Sequence, residues 1–433
     1  MEKDFWKYVI PSMITVLLGG TFAFVDGIFI GRGCGSVGLT AVNLIAPMAA
    51  MVTAAAAGIG MGGSIMMSTY AGRKDIKKSK AAKGCTISVL IIMSVILYLL
   101  GAFGSDFILR MLGAKDEFYE PALHYLSIVL TFGCFQMIST GLSNIVINSG
   151  KSVTAMLVMV LSLITNIVLD YLFVIKFEMG TGGAAFATVL GQAVSAVVFV
   201  VVLLKDKNTR PKLSELKINL SDLKDIIKTG LSPFGIQIAP SIVVMCINYA
   251  CVLTNGTETL AVFAVMNQLI LAVQILFTGV GNGIQPIISY STGAKDQKAI
   301  NYTLNKAIRF MAFMALLLMS ALFFTRNIFP ALFNAQGNIA LLSSRAILLV
   351  IIMIPFSGYV RVISAFFFAS GSIKSANFLT YAEPFFMMPL LLVIFSFIMG
   401  SKGVWMAMLI SQMILAVCGI ALRRRTHKVG NVV

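Results

Sequence analysis

Acids inside apolar sequence are the residues most able to do chemistry in this chain. Of its 17 Asp and Glu, Asp26, Asp170 and Glu383 fall within long apolar blocks. A charged side chain at the centre of a bilayer costs at least ~2.5–3.5 kcal/mol on insertion scales, so each of these acids is a candidate site. Asn166 precedes Asp170 by four residues and therefore shares its helical face one turn away. Asp26, Asp170 and Thr188 also lie at similar distances from the same ends of their apolar blocks, which puts them in one layer. Two carboxylates, an amide and a hydroxyl at common depth make an oxygen-rich cation site. Burial and mutual repulsion would let the acid pair hold a single proton, and the same oxygens would suit Na+. The competing reading is that both acids reach water at the interface or cap local backbone.

Arg361 and Glu383 form a second constellation. They sit at matching depth in consecutive blocks, which predicts an ion pair that either lines a cavity or only joins two helices. Pro384 disfavours helix at Glu383 and predicts a break there, tolerated at membrane depth where it is buried in protein or lines a cavity.

The elements that must position these groups follow from composition. The chain has 433 residues, 58% of them hydrophobic and 12% charged, against ~45–50% and ~25% in a soluble domain. It is expected to be an all-α integral membrane protein, which excludes a soluble enzyme, a nucleic-acid binder and a disordered chain. Twelve transmembrane helices can be drawn, over 8–31, 38–70, 84–104, 122–147, 153–176, 183–204, 229–253, 259–291, 307–325, 342–369, 376–399 and 403–422. Alternate loops differ in charge: the N-terminus, 71–83, 148–152, 205–228, 292–306 with Arg309, 370–375 and the C-terminus together hold 25 of the 33 Lys and Arg. The positive-inside rule makes those loops and both termini cytoplasmic. The same bias accounts for the net charge of +16 without a nucleic-acid partner.

The chain repeats itself. An offset of 221 residues superposes Gly72-Arg73-Lys74-Asp75 on Gly293-Ala294-Lys295-Asp296, Ser149-Gly150 on Ser370-Gly371, and Gly182 on Gly403. This predicts two six-helix lobes related by a pseudo-twofold axis along the membrane normal, residues 1–204 and 229–433, with 205–228 as a cytoplasmic linker.

Other signals are bland. The cysteines lack metal or disulfide spacing, and His124 and His427 are the only histidines, so no metal centre or cofactor is expected. The Gly58-x-Gly60-x-Gly62-Gly63 run lacks the lysine of a phosphate loop and favours close helix packing.

The sequence resembles the multidrug and toxic compound extrusion (MATE) transporters, prokaryotic type, over nearly its whole length. The resemblance is carried by Pro11 fifteen residues before Asp26 in Val25-Asp26-Gly27-Ile28-Phe29-Ile30-Gly31, by Asn166-Ile167-Val168-Leu169-Asp170, and by Gly182-Gly183-Ala184-Ala185-Phe186-Ala187-Thr188. It implies that Asp26, Asn166, Asp170 and Thr188 bind the coupling ion, H+ or Na+, and that Pro11 is a hinge. It further implies a non-enzymatic multidrug efflux antiporter of a prokaryotic cytoplasmic membrane, acting as a monomer by alternating access on amphipathic, often cationic organic compounds. Second-helix-bundle acids of NorM-like members have no match here, since Gln237 stands in the seventh span. A flippase of lipid-linked precursors is the alternative from the same superfamily. It would need several basic residues for pyrophosphate, whereas Arg361 is the only clear cation deep within a span.

Overall fold

The first helix, α1 (Glu2–Gly72), has 71 residues, far more than the ~20 that cross a bilayer. Its one residue with non-helical geometry is Gly35 (φ 64°, ψ −161°), a backbone state that only glycine adopts without strain. The bend there divides α1 into two passes. The computed structural model describes residues 2–113, 116–206, 210–254, 256–333 and 337–428, and no strand occurs among them.

The remaining helices are α2 (Ile76–Met111), α3 (Tyr119–Thr131), α4 (Gly133–Asn148), α5 (Ser152–Asp170), α6 (Gly180–Lys205), α7 (Leu220–Leu253), α8 (Thr257–Gly293), α9 (Gln297–Thr325), α10 (Gly337–Ala369), α11 (Ile373–Ala382), α12 (Met388–Met399) and α13 (Gly403–Lys428). Ten stretches are long and apolar enough to cross a membrane, and α3 with α4 makes an eleventh, bent by 49°. The Gly35 bend divides the first of them, which gives the twelve expected passes. The predicted span 122–147 is thus broken rather than straight. Its bend rests on α2, where a Cβ added at Gly101 would lie 2.2 Å from the Thr131 nitrogen. The break predicted at Glu383 is a widening instead: α11 runs into a π-helical turn, Glu383–Met387, and on into α12. A second π turn, Tyr171–Lys176, continues α5.

Lipid explains the outer faces. Ile92, Ile96, Leu99, Phe103 and Phe107 recur at helical spacing along α2 and are all exposed, Phe103 by 84%. Such a stripe is unfavourable in water and costs nothing against hydrocarbon.

The chain forms two compact units, one of Ile14–Gln237 and one joining Met1–Met13 to Ile238–Val433. The 221-residue repeat reappears in the backbone of each. Lys74 (φ 61°) and Lys295 (φ 56°) both adopt the left-handed conformation, uncommon for a residue with a Cβ. Each precedes an aspartate cap: Asp75 accepts from the Lys78 amide at 3.0 Å and Asp296 from the Ala299 amide at 2.9 Å. The glycine run proves to be a helix crossing. A Cβ at Gly62 would meet the Ile226 carbonyl at 2.4 Å, and at Gly283, its repeat partner, the Val9 Cα at 2.5 Å. Val9 and Gly230 are themselves 221 residues apart, and a Cβ at Gly230 would meet the Gly58 carbonyl at 2.2 Å.

Most of the 205–228 segment packs onto the unit Ile14–Gln237. Ser88 Oγ donates to the Leu216 carbonyl at 3.2 Å. α7 begins at Leu220 because Asn219 Oδ1 accepts from the Ser221 amide at 3.1 Å. Ile226 is then buried among Met66, Ala82, Cys85 and Val89.

Candidate functional site

Within the unit Ile14–Gln237, three helices carry acceptors and donors to one buried point. α1 supplies Asp26, α5 supplies Asn166 and Asp170, and α6 supplies Thr188. Asn166 Nδ2 donates to Asp26 Oδ1 at 3.1 Å, and Thr188 Oγ1 donates to Asp26 Oδ2 at 2.8 Å. Both oxygens of Asp26 therefore have a neutral donor. Asp170, fully buried, lies against the Asp26 carboxyl. Its Oδ1 and Oδ2, like Asn166 Oδ1, complete no hydrogen bond among the described residues, although the Asn166 side chain is close by. All four residues predicted from the sequence are together.

The two acids are held by different means. Asp170 closes the last α-helical turn of α5 before the π turn begins. A π turn opens the backbone spacing locally and is frequent at functional sites. On α6, Gly191 lets α5 approach: a Cβ there would lie 3.1 Å from the Ser162 carbonyl and 3.2 Å from Asn166 Cβ. Tyr125 of α3, also buried, joins the cluster with its hydroxyl beside Thr188. Sequence reasoning missed it. A tyrosine in an apolar helix is common, and only the α3–α6 packing turns this one inward.

The chemistry available is that of a buried, donor-poor cluster of oxygens. An ionised carboxylate with neither partner nor water costs several kcal/mol, so three orphaned acceptors call for a positive particle. The set of carboxylate, amide and hydroxyl oxygens fits a proton shared between two carboxyls, and it fits a hard cation. Pro11 stands elsewhere on the same helix, within a stretch of α1 that stays helical. Lacking an N–H, it cannot donate the usual backbone bond one turn back, which makes bending of α1 easier there.

The unit that contains Ile238–Val433 holds the other predicted pair. Arg361 (α10) and Glu383 line one cavity of about 30 Å³. They do not form an ion pair within 4.0 Å. Each is held by a glutamine instead: Arg361 Nη2 donates to Gln274 Oε1 at 2.6 Å, and Gln412 Nε2 donates to Glu383 Oε1 at 2.5 Å. Gln412 was not legible beforehand, although an amide deep in the apolar α13 was the available signal. Glu383 opens the π turn, so two of the three acids singled out in the sequence, Asp170 and Glu383, flank a change of helix type.

The fold built from these parts is that of a known class of membrane transporter. The chain is similar to the structure of a multidrug resistance MATE family transporter of the MOP superfamily in an outward-facing conformation, with a TM-score of 0.92 and 23% identity over 99% of this chain and 96% of that one. It is equally similar to a MATE structure in a bent conformation, with a TM-score of 0.92, 24% identity and the same coverage. The MatE family model matches residues 11–172 and again 235–398. The chain therefore belongs to the MatE family, and it is a transporter, not an enzyme. Relatives include the multidrug export protein MepA of Staphylococcus saprophyticus, 22% identical over 419 residues, 96% of this chain and 92% of that one. MepA of Staphylococcus haemolyticus is 22% identical over 415 residues, 96% of this chain and 91% of that one.

Proposed function

We propose that this protein exports amphipathic, often cationic organic compounds across a prokaryotic cytoplasmic membrane by cation-coupled antiport. The observation that carries the reading is the pair of buried carboxyls, one with both oxygens hydrogen-bonded and the other with neither. In that state a proton on Asp170 neutralises the pair and bridges it to Asp26; Na+ is the other particle the oxygens would take. Ion occupancy favours one conformation and substrate another, so the two compete through the equilibrium between states without touching. Pro11 comes fifteen positions before Asp26 in the sequence of α1 and is the hinge of the proposed cycle. Multidrug export by the MepA relatives supports the choice of cargo. Both termini and the basic loops face the cytoplasm, and one chain is sufficient for the cycle.

Proteoliposomes driven first by a proton gradient alone and then by a sodium gradient alone test the coupling ion. Proton-driven dye transport that disappears in Asp26→Asn and in Asp170→Asn, with both variants still eluting as folded protein, is the expected result. Undiminished transport in either variant removes the acid pair from the mechanism.

A further inference from the structure

Contact with lipid asks only for apolar side chains, yet one stretch of exposed surface combines them with cations and rings. It lies in the unit that joins Met1–Met13 to Ile238–Val433, where the first turns of α1 meet the first half of α9. The Trp6 ring meets Phe310 edge-on at 5.0 Å, which fixes the level of one helix against the other. Lys306 is held among rings, its Nζ 5.1 Å from the centroid of Phe5, 5.2 Å from Trp6 and 5.7 Å from Tyr302. Lys7 and Arg309 each stand one residue from the Trp6–Phe310 contact on their own helices, and both are exposed. Beyond them the exposed residues turn apolar at helical spacing: Ile10 follows Lys7, and Phe313, Leu316 and Leu317 follow Arg309. The stretches 6–10 and 306–313 contain no acid, and Asp4, one turn before Lys7, is the nearest on α1. Cations and rings at one level with hydrocarbon-facing side chains beyond reproduce the order of a phospholipid, headgroup first and acyl chain after.

We infer that this face of α1 and α9 binds an anionic phospholipid. The phosphate takes the Arg309 guanidinium, whose planar fork of donors matches two phosphate oxygens, with Lys7 as the second cation. Trp6 and Tyr302 lie at headgroup depth, where rings with one polar edge are favoured. The acyl chains run along Ile10 and Phe313. A zwitterionic lipid brings its own cation to the same place and forfeits most of the attraction, so the site selects by net headgroup charge. Such binding needs no transport, and only the choice of the cytoplasmic leaflet rests on the orientation proposed above.

Native mass spectrometry of the full chain, delipidated in detergent and titrated with dioleoylphosphatidylglycerol or dioleoylphosphatidylcholine, provides the test. The acyl chains are the same, so the two lipids differ in headgroup charge. The glycerol lipid is expected to bind at least about tenfold tighter in the first step, as cations placed at the membrane surface predict. That advantage disappears in the double variant Lys7→Gln/Arg309→Gln. It persists in Arg326→Gln, which removes a cation lying over the Phe323 ring at the other end of α9. Both side chains of the double variant are exposed, so an unchanged thermal midpoint separates lost binding from lost fold. Equal affinity for the two lipids in the unaltered protein overturns the proposal, with no variant needed. So does a preference that survives the double substitution. Because neither gradient nor substrate is present, failure here leaves ion-coupled export standing, and unaltered transport by Asp26→Asn leaves the lipid preference standing.

Discussion

The two units have a common backbone register and opposite electrostatic designs. Shifted by 221 residues, Asp26, Asn166, Asp170 and Thr188 correspond to Ile247, Met387, Leu391 and Leu409, all apolar. In the reverse direction Arg361, Glu383, Gln274 and Gln412 correspond to Thr140, Ser162, Thr53 and Gly191. One of these pairs even keeps its hydrogen bond with the chemistry changed. Ser162 Oγ donates to the Gly191 carbonyl at 2.7 Å, where Gln412 donates to Glu383 in the other unit. The repeat therefore preserves caps, turns and glycine crossings, which depend on backbone, and lets the interior polar groups diverge. One unit concentrates like charge that needs a cation; the other balances unlike charges with amides.

The strongest way to break that comparison is to move the acid. In Asp26→Asn, gradient-driven dye transport is expected to fall to background, and adding Ile247→Asp at the repeat position is expected to restore none of it. The repeat partners of Asn166, Asp170 and Thr188 there are Met387, Leu391 and Leu409, none of which has a side-chain donor. Recovery of transport in the double variant would mean that the units are chemically interchangeable.

A smaller effect is expected from Gln412→Leu. It withdraws the donor from a carboxylate inside the protein, a loss of about 1.5–3 kcal/mol measured as a lower thermal midpoint in detergent. The glycine crossings should respond alike in both units. Gly62→Ala and Gly283→Ala each drive a Cβ into backbone at 2.4 and 2.5 Å, worth roughly 1–3 kcal/mol apiece, and unequal losses would show that the register is not energetically shared. Least of all, Ser162→Ala gives up a neutral bond worth about 1 kcal/mol. A cost as large as that of Gln412→Leu would erase the proposed difference between the units.

Much of the fold was legible because the bilayer simplifies it. Apolar blocks, loop charge and one gapless offset gave the helices and their repeat, and the acid cluster was found because ionisable groups are rare at depth. What escaped was set by packing. Tyr125 and Gln412 join their sites through neighbouring helices that no local pattern announces. The bend after Thr131 depends on Gly101 of another helix. Glu383 keeps its helix despite Pro384 because a π turn absorbs the ring, where the sequence rule predicted a break.

Composition and spacing by themselves determined that the chain crosses a membrane, that it does so in two related halves, and which acids are too costly to be incidental. That much follows from the price of burying a charge and the period of a helix, both local to the chain. Tertiary structure alone decided that Asp26 receives two donors while Asp170 receives none, and that Arg361 and Glu383 meet glutamines rather than each other. Those outcomes depend on helix separations and rotations of a few ångströms, fixed by side chains on other helices, 29 to 162 residues distant in the sequence.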